Sequence, residues 1–291
     1  MMNLDKGTVY ALAAALMWTV PATVTRILLS EMSPAEIVFL RTLLGTAVLF
    51  FIIMLFDRGF KAVKSVNILP SLILGFFFFS TLYSFAVSVQ LTTIANAQFL
   101  TQMDIVITFL LAHFVLKEFA TKRLYAALAL SVLGSFTIFF SEIAFVSAEG
   151  AFGALAGLGS AVFFAFYTIA ARRFFRKTDH WTMVFVFLFG SLFGAIASGI
   201  SIPTISPYFW QLLLLLGLFT SIPYLLFAWS LKYTQPQRPA IIGKLTVVTT
   251  PLFAFIVLGE IPLLHSIIGG FIIFFATLLV ILERPPNRFN P

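Results

Sequence analysis

Long apolar runs fill this chain, and short polar connectors separate them. A helix that crosses a bilayer needs about 20 predominantly apolar residues, and ten stretches reach that length, at about 7–28, 34–56, 67–89, 93–116, 122–141, 150–171, 181–203, 208–231, 237–258 and 263–283. The pattern predicts an all-α polytopic membrane protein of ten transmembrane helices. The strands of a membrane barrel would alternate with period two in short segments, so these continuous runs exclude that architecture. The first run begins like a secretory signal, with Lys6 ahead of Ala11, Ala13, Ala14 and Ala15. It continues through Trp18 and Pro21 to Leu29, beyond the roughly 7–15 residues of a cleaved apolar region, so an uncleaved first helix is predicted.

The pattern also repeats. Ala112-x-x-Val115-Leu116-x-Glu118 returns as Ala254-x-x-Val257-Leu258-x-Glu260, 142 positions later (260 minus 118). Phe85-Ala86 and Thr92 return at the same offset as Phe227-Ala228 and Thr234. Five helices per half is an odd number, so the second copy enters the membrane from the opposite face, as in the inverted repeats of secondary transporters. The expected organisation is a five-helix repeat at 1–141 and a second, inverted one at 148–284. The first and sixth spans agree less closely, sharing an aromatic residue followed by a base: Trp18 with Arg26, and Phe164 with Arg172.

Composition and charge sharpen this picture. Hydrophobic residues make up 60% of the chain and charged residues 10%, with a mean hydropathy of +1.05, whereas a soluble domain carries about 25% charged residues. The connectors leave no room for a soluble catalytic or nucleotide-binding domain, so any function sits within the bundle. There are no cysteines and hence no disulfides. Of the 18 basic residues, 15 fall on alternate connectors and the two tails: Lys6; Arg58, Lys61 and Lys64; Lys117, Lys122 and Arg123; Arg172, Arg173, Arg176 and Lys177; Lys232 and Arg238; Arg284 and Arg288. Retained cytoplasmic loops are enriched in Lys and Arg, which predicts both termini in the cytoplasm. The other side has Arg26 with Glu31, Glu36, Glu142, Glu149 and Glu260. Bases dispersed in this way record topology, and no nucleic-acid partner is expected.

At this point the chain resembles the drug/metabolite transporter superfamily, in its ten-helix EamA-like branch. The resemblance rests on Pro34 followed by Arg41, on Phe227-Ala228-x-x-Leu231-Lys232-Tyr233, on Leu258-Gly259-Glu260 and on Gly269-Gly270, and it spans Gly7 to about Glu283. The first copy departs from the usual form at Lys117, where the motif commonly has Gly, and at Asp104, in a stretch usually apolar with a proline. The resemblance implies a cavity surrounded by the first, third, sixth and eighth helices. It also implies export of an amino acid or related metabolite across the plasma membrane by alternating access, one half rocking against the other. Phosphorylated or nucleotide-type metabolites and cationic drugs are the superfamily's other cargoes. No ATP-binding motif and no cofactor site is seen, so a proton or sodium gradient, or facilitated exchange, is the expected energy source.

Three charges lie inside predicted spans: Arg41, Asp104 and Lys244. A charge at a helix centre costs about 2.5–3.5 kcal/mol on insertion scales, so the three together need pairing or water. Either one cation remains for a carboxylate or phosphate on the substrate, or Asp104 pairs with one base while Arg41 snorkels towards Glu36. The fourth span is the most polar, with Asn96, Gln98, Thr101, Gln102, Asp104, Thr108 and His113. Under the repeat, Gln102 aligns with Lys244 and Asp104 with Thr246. At about 100° per residue the two members of each pair face roughly 200° apart, so only one of each is expected to point into a cavity. Gln98, Gln102 and Lys244 are favoured for substrate contact, with Asp104 and Arg41 as coupling or structural charges. His113 is expected to be an interhelical hydrogen-bonded histidine. An aromatic lining is expected from Trp18, Tyr83, Tyr167, Tyr224 and Trp229, beside Pro21 and Phe164. With a spare cation, this set suits a zwitterion or anion better than a lipophilic cation.

An enzyme is not expected. His-Glu-x-x-His and Gly-x-Ser-x-Gly are missing, and an aspartyl dyad needs two intramembrane carboxylates where only Asp104 is found. A passive channel fits the composition equally well but gives no reason for an inverted duplication. Pro21, Pro223 and Pro251 each remove a helix hydrogen bond and permit kinks. Gly153-x-x-x-Gly157 and Gly190-x-x-x-Gly194 are predicted to be close helix contacts within the bundle.

Overall fold

The computed structural model describes residues 5–56, 63, 66–92, 94–139, 148–175, 181–258 and 264–283. Among these, thirteen α-helices follow one another: α1 Lys6–Met17, α2 Thr19–Leu28, α3 Pro34–Phe56, α4 Ile68–Leu91, α5 Ile94–Thr101, α6 Asp104–Leu116, α7 Lys122–Phe139, α8 Ala148–Phe175, α9 Trp181–Ser198, α10 Pro207–Tyr233, α11 Gln237–Gly243, α12 Leu245–Leu258 and α13 Leu264–Ile281. Seven stretches among the described residues are long and apolar enough to cross a membrane, with α1 and α2 counted as one and α5 and α6 as another. The fold is thus that of a multi-pass, all-helical membrane protein. Phe51, Leu55, Phe114, Leu155, Ile196, Ile256 and Phe271 are exposed on its flanks, an apolar surface that lipid accommodates and water would not. Glu142, Gly259 and Glu260 lie outside the described residues, as do Arg58, Lys61, Lys64, Arg176, Lys177, Arg284 and Arg288.

Two helix ends keep the register of the sequence repeat. α4 ends at Leu91 and α10 at Tyr233, 142 residues apart (233 minus 91). The caps match as well. Thr92 and Thr234 leave the helix with extended φ of −133° and −135°, and their N–H groups donate to Ser88 O at 2.9 Å and Ser230 O at 3.0 Å. Two arginines act alike: Arg26 Nη1 donates to Val89 O at 2.6 Å, and Arg172 Nη1 donates to Leu231 O.

The extensive interfaces join helices from different halves, α4 to α8, α7 to α13, α3 to α9, and α1 to α10. Small residues permit the close approaches. A Cβ on Gly194 would sit 2.8 Å from the Cα of Phe39, so α9 meets the α3 backbone directly, while one on Gly190 would sit 2.8 Å from the Phe78 ring. Gly153 abuts Leu91 and Thr92, and Gly157 abuts Ser88 and Leu100, which places both predicted glycine ridges inside the bundle. One core gathers Val38, Leu74, Phe78, Tyr167, Phe187, Tyr224 and Phe227, and a second gathers Ala11, Ala15, Ile105, Phe109, Ala240, Ile241 and Ala276.

Three spans are interrupted, and only one of the three proline-based expectations describes where. The first breaks at Trp18, because the Pro21 ring clashes with the carbonyl four residues earlier, that of Met17, where α1 ends. α10 runs unbroken through Pro223. The ninth predicted span breaks at Lys244, not at Pro251, and the fourth breaks at Gln102–Met103 with no proline nearby. Both of these breaks tighten into three-residue turns. Gln102 N donates to Phe99 O at 3.0 Å, Met103 N to Leu100 O at 3.2 Å, and Lys244 N to Ile241 O at 3.0 Å.

Candidate functional site

The three breaks converge on one cavity of about 160 Å³, smaller than the roughly 300–1,000 Å³ of drug-sized pockets. Its wall is built from matched pairs. Leu82 and Phe85 on α4 correspond to Tyr224 and Phe227 on α10, and Gln98 and Thr101 on α5 correspond to Ala240 and Gly243 on α11. At the breaks Gln102 corresponds to Lys244, and just beyond them Asp104 to Thr246. Trp18 and Ala22 correspond to Ser160 and Phe164 on α8. Each pair is 142 residues apart, as 224 minus 82. The cavity therefore lies where the two halves of the molecule mirror each other. Pro21, Arg41, Thr81 and Pro239 complete the described lining.

Gln102, Asp104, Lys244 and Thr246 all reach the cavity. The expectation that only one of each pair would do so fails because the 100° step holds along a continuous helix, and both helices are broken at these residues. Lys244 Nζ donates to Asp104 Oδ1, with side chains only 7% and 5% exposed, so the central carboxylate is neutralised across the two halves. Arg41 does not snorkel. It is 3% exposed, and its Nε and Nη2 donate to Thr220 Oγ1 on α10 at 3.2 and 2.7 Å. Glu36 has partners of its own: it accepts from Ser201 Oγ at 2.6 Å and from Ser33 N and Oγ at 2.8 Å.

The aromatic expectations divide. Trp18 and Tyr224 line the cavity, edge to face with ring centroids 5.3 Å apart. Tyr167 is not among the described lining residues. It is fully buried behind Tyr224, with its hydroxyl donating to Met183 Sδ at 3.8 Å. Tyr83 turns outward and stacks on Phe79 at 5.5 Å, while Trp229 packs on Tyr10 at 5.5 Å; neither is part of the described wall. Being aromatic with a polar tip did not select lining residues in a chain of 37 Phe. The repeat register does: applied to Trp18, Gln98 and Gln102 it points to Ser160, Ala240 and Lys244. His113 packs edge-on against Phe114 and Phe119, and no hydrogen bond ties it to another helix among the described residues. Two polar atoms from lining residues, Trp18 Nε1 and Gln102 Oε1, are buried without a hydrogen-bond partner.

At one end of the bundle the halves are tied together. Arg172 pairs with Glu118 at 3.2 Å, Gln237 Nε2 donates to Glu118 O at 3.0 Å, Arg238 pairs with Glu283 at 3.5 Å, and Thr121 Oγ1 donates to Glu283 Oε1 at 2.5 Å. Glu118 and Thr121 lie between α6 and α7, Arg172 near the end of α8, Gln237 and Arg238 in α11, and Glu283 just past α13.

Comparison with known proteins agrees with this architecture. The chain is 27% identical over 265 residues to an uncharacterized transporter of Archaeoglobus fulgidus, covering 88% of this chain and 91% of that one. A second uncharacterized transporter of the same organism is 26% identical over 215 residues, covering 71% and 74%. A protein of known crystal structure has the same fold, with a TM-score of 0.79 at 18% identity, covering 95% of this chain and 97% of that one. The EamA-like transporter family matches twice, over residues 5–140 and again over 151–282. A bundle whose helix ends, caps and cavity wall all recur at one offset, and whose two halves each match that family, belongs to the EamA-like transporter family.

Proposed function

We propose that this membrane transporter is a secondary carrier of a small organic metabolite, built as ten transmembrane helices in two inverted five-helix repeats at 1–141 and 148–284. Both termini lie in the cytoplasm and the plasma membrane is its site. Access to the central cavity alternates between the two faces, and the cargo is of amino-acid size, an amino acid or a related metabolite, moved outward as protons or sodium ions run down their gradient inward, or by exchange. The observation that carries this reading is the cavity wall of matched pairs. A site placed where inverted halves mirror each other is reached equivalently from either face, as alternating access requires. The length of α7 and α13, 18 residues each or about 27 Å at 1.5 Å per residue, supports counting both as spans, and α11 with α12 supplies a tenth.

The inter-half interfaces revise one expectation. Because α4 packs on α8 and α3 on α9, the bodies that rock against each other draw helices from both halves. The test is flux in proteoliposomes with a panel of labelled amino acids, organic acids, sugar phosphates and organic cations. A carrier shows saturable uptake accelerated by unlabelled substrate on the far side. Linear, non-saturating flux without counterflow identifies a channel instead and overturns the reading.

A further inference from the structure

Lys244 and Asp104 meet on the cavity wall, each at the break of its own span, with side chains 7% and 5% exposed. Two packed apolar side chains could tie the halves as well, and replacing a buried ion pair in that way is often neutral or stabilising. The duplicated scaffold does not require the charges either: 142 residues away, Gln102 stands in the place of Lys244 and Thr246 in the place of Asp104. Each charge also has beside it an unpartnered group of its own character. Gln102 Oε1, an acceptor two residues before Asp104, and Trp18 Nε1, a donor like Lys244, are buried with no hydrogen-bond partner among the described residues, and both residues line the cavity. A Cβ on Gly243 would meet the Trp18 ring at 3.9 Å, so the indole lies beside the residue that precedes Lys244. Acceptors thus gather at the break between α5 and α6, and donors at the break between α11 and α12. Arg41 belongs to the pattern shared with the family, is held by Thr220, and marks no particular cargo.

We propose, resting on the transporter reading above, that Asp104 and Lys244 are the two poles of a binding site for a free amino acid, and that the ligand inserts between them. Its ammonium takes the place of Lys244 at Asp104 and donates to Gln102 Oε1, while its carboxylate accepts from the released Lys244 Nζ and from Trp18 Nε1. One ion pair becomes two, and no charge is left over. A carboxylate without an ammonium would engage Lys244 and strip Asp104 of its partner, and an amine without a carboxylate would strip Lys244. Either exchange leaves a buried charge uncompensated, which is strongly unfavourable. The pair therefore selects the zwitterion by what it refuses. When the amino acid leaves, Lys244 returns to Asp104, so both charges are compensated with and without cargo.

The test starts from the common amino acids, each measured by thermal stabilisation of the purified full chain and by counterflow in proteoliposomes. The amino acid that exchanges best is then compared with its own skeleton carrying a single charge, which for leucine means 4-methylpentanoate and 3-methylbutylamine, in wild type, Asp104→Asn, Lys244→Gln and the double variant. Wild type is expected to bind the amino acid about a hundredfold or more tighter than the acid or the amine. Asp104→Asn leaves Lys244 alone and shifts the preference by about tenfold or more towards the acid, and Lys244→Gln shifts it as far towards the amine. The double variant orphans no charge, so it folds, and it binds the amino acid about tenfold or more weaker. A pair that only holds the halves together would give one order of ligands in every variant. That result, undiminished amino-acid binding by the double variant, acid or amine bound as well as the amino acid by wild type, or no amino acid bound at all overturns the proposal. The wild-type comparison decides even where a single variant does not fold. The transporter reading is judged separately, by incubating the same proteoliposomes with a cell extract and identifying the contents by mass spectrometry. Protein-dependent uptake of any other solute keeps that reading when the amino acids fail, and no uptake of anything sinks both.

Discussion

Asp104 and Lys244 stabilise each other only as a pair. Both are nearly buried, and removing one partner of a buried ion pair leaves the other uncompensated, at a cost of several kcal/mol. Lys244→Gln is therefore expected to lower stability by on the order of 3 kcal/mol, while Asp104→Asn combined with Lys244→Gln recovers most of that loss. Unfolding of the two single variants and the double one in detergent checks this, and additive losses would show that the two residues are not coupled. A smaller residue-scale effect sits at Lys117. It caps α6 in the left-handed region, φ 55° and ψ 31°, a conformation that costs a non-glycine residue about 1–2 kcal/mol. The extra freedom of glycine in the unfolded chain offsets roughly 0.5–1 kcal/mol of this, so Lys117→Gly should raise stability by up to about 1 kcal/mol. That geometry explains why a glycine is common at this motif position. The three intramembrane charges were legible as charges in the sequence, but their pairing was not: Asp104 and Lys244 are 140 residues apart and meet only because each sits at a helix break.

Elements were the most legible scale, and the breaks within them the least. Each of the ten apolar runs contains helix among the described residues, since span length follows from bilayer thickness, and the 142-residue offset pairs the caps at Thr92 and Thr234. The interruption at Gln102 has no proline or glycine beside it, while the one at Lys244 directly follows Gly243, a poor helix former that was not read as a break. Consequently the helical-wheel argument misassigned faces in the two helices that matter most. Tyr83 and Trp229 were misplaced because an amphipathic ring suits lipid or a neighbouring ring as well as a cavity. Close packing was readable, and it is testable. Gly194 lies 2.8 Å, by its virtual Cβ, from backbone that cannot move aside. Gly194→Ala should therefore destabilise by about 1–3 kcal/mol through overpacking, seen as a lower melting temperature in detergent. At Gly243 the nearest atom to a virtual Cβ is Trp18 Cζ3 at 3.9 Å, ordinary contact, so Gly243→Ala should keep its stability. Equal losses at both positions would remove the argument from helix contact.

At the scale of the whole molecule, the 142-residue register recurs in the cavity wall, and at one end Glu118, Arg172, Gln237, Arg238 and Glu283 are joined by ion pairs and a hydrogen bond. If the cavity is to open there, this network must come apart, so weakening it shifts the population towards the state open at that end. Arg172 also holds the Leu231 carbonyl, which makes Glu118 the cleaner target because its replacement leaves that bond intact. The pair is nearly buried, the Arg172 side chain 1% and that of Glu118 12% exposed, so removing the carboxylate leaves a buried guanidinium without its counter-charge, and about 1.4 kcal/mol is tenfold in a population. Glu118→Gln is thus expected to raise the open fraction by about tenfold or more. The chain contains no cysteine, so Ser160→Cys, on the cavity wall, gives a single thiol against a silent background. An impermeant thiol reagent applied from the Glu118 end should label that cysteine several-fold faster in Glu118→Gln than in the parent. The same reagent applied from the other face should label it more slowly, because population gained by one state is lost by the other. Faster labelling from both faces would mean that the substitution loosens the bundle generally, and unchanged labelling from both would mean that the ion pair does not gate the cavity.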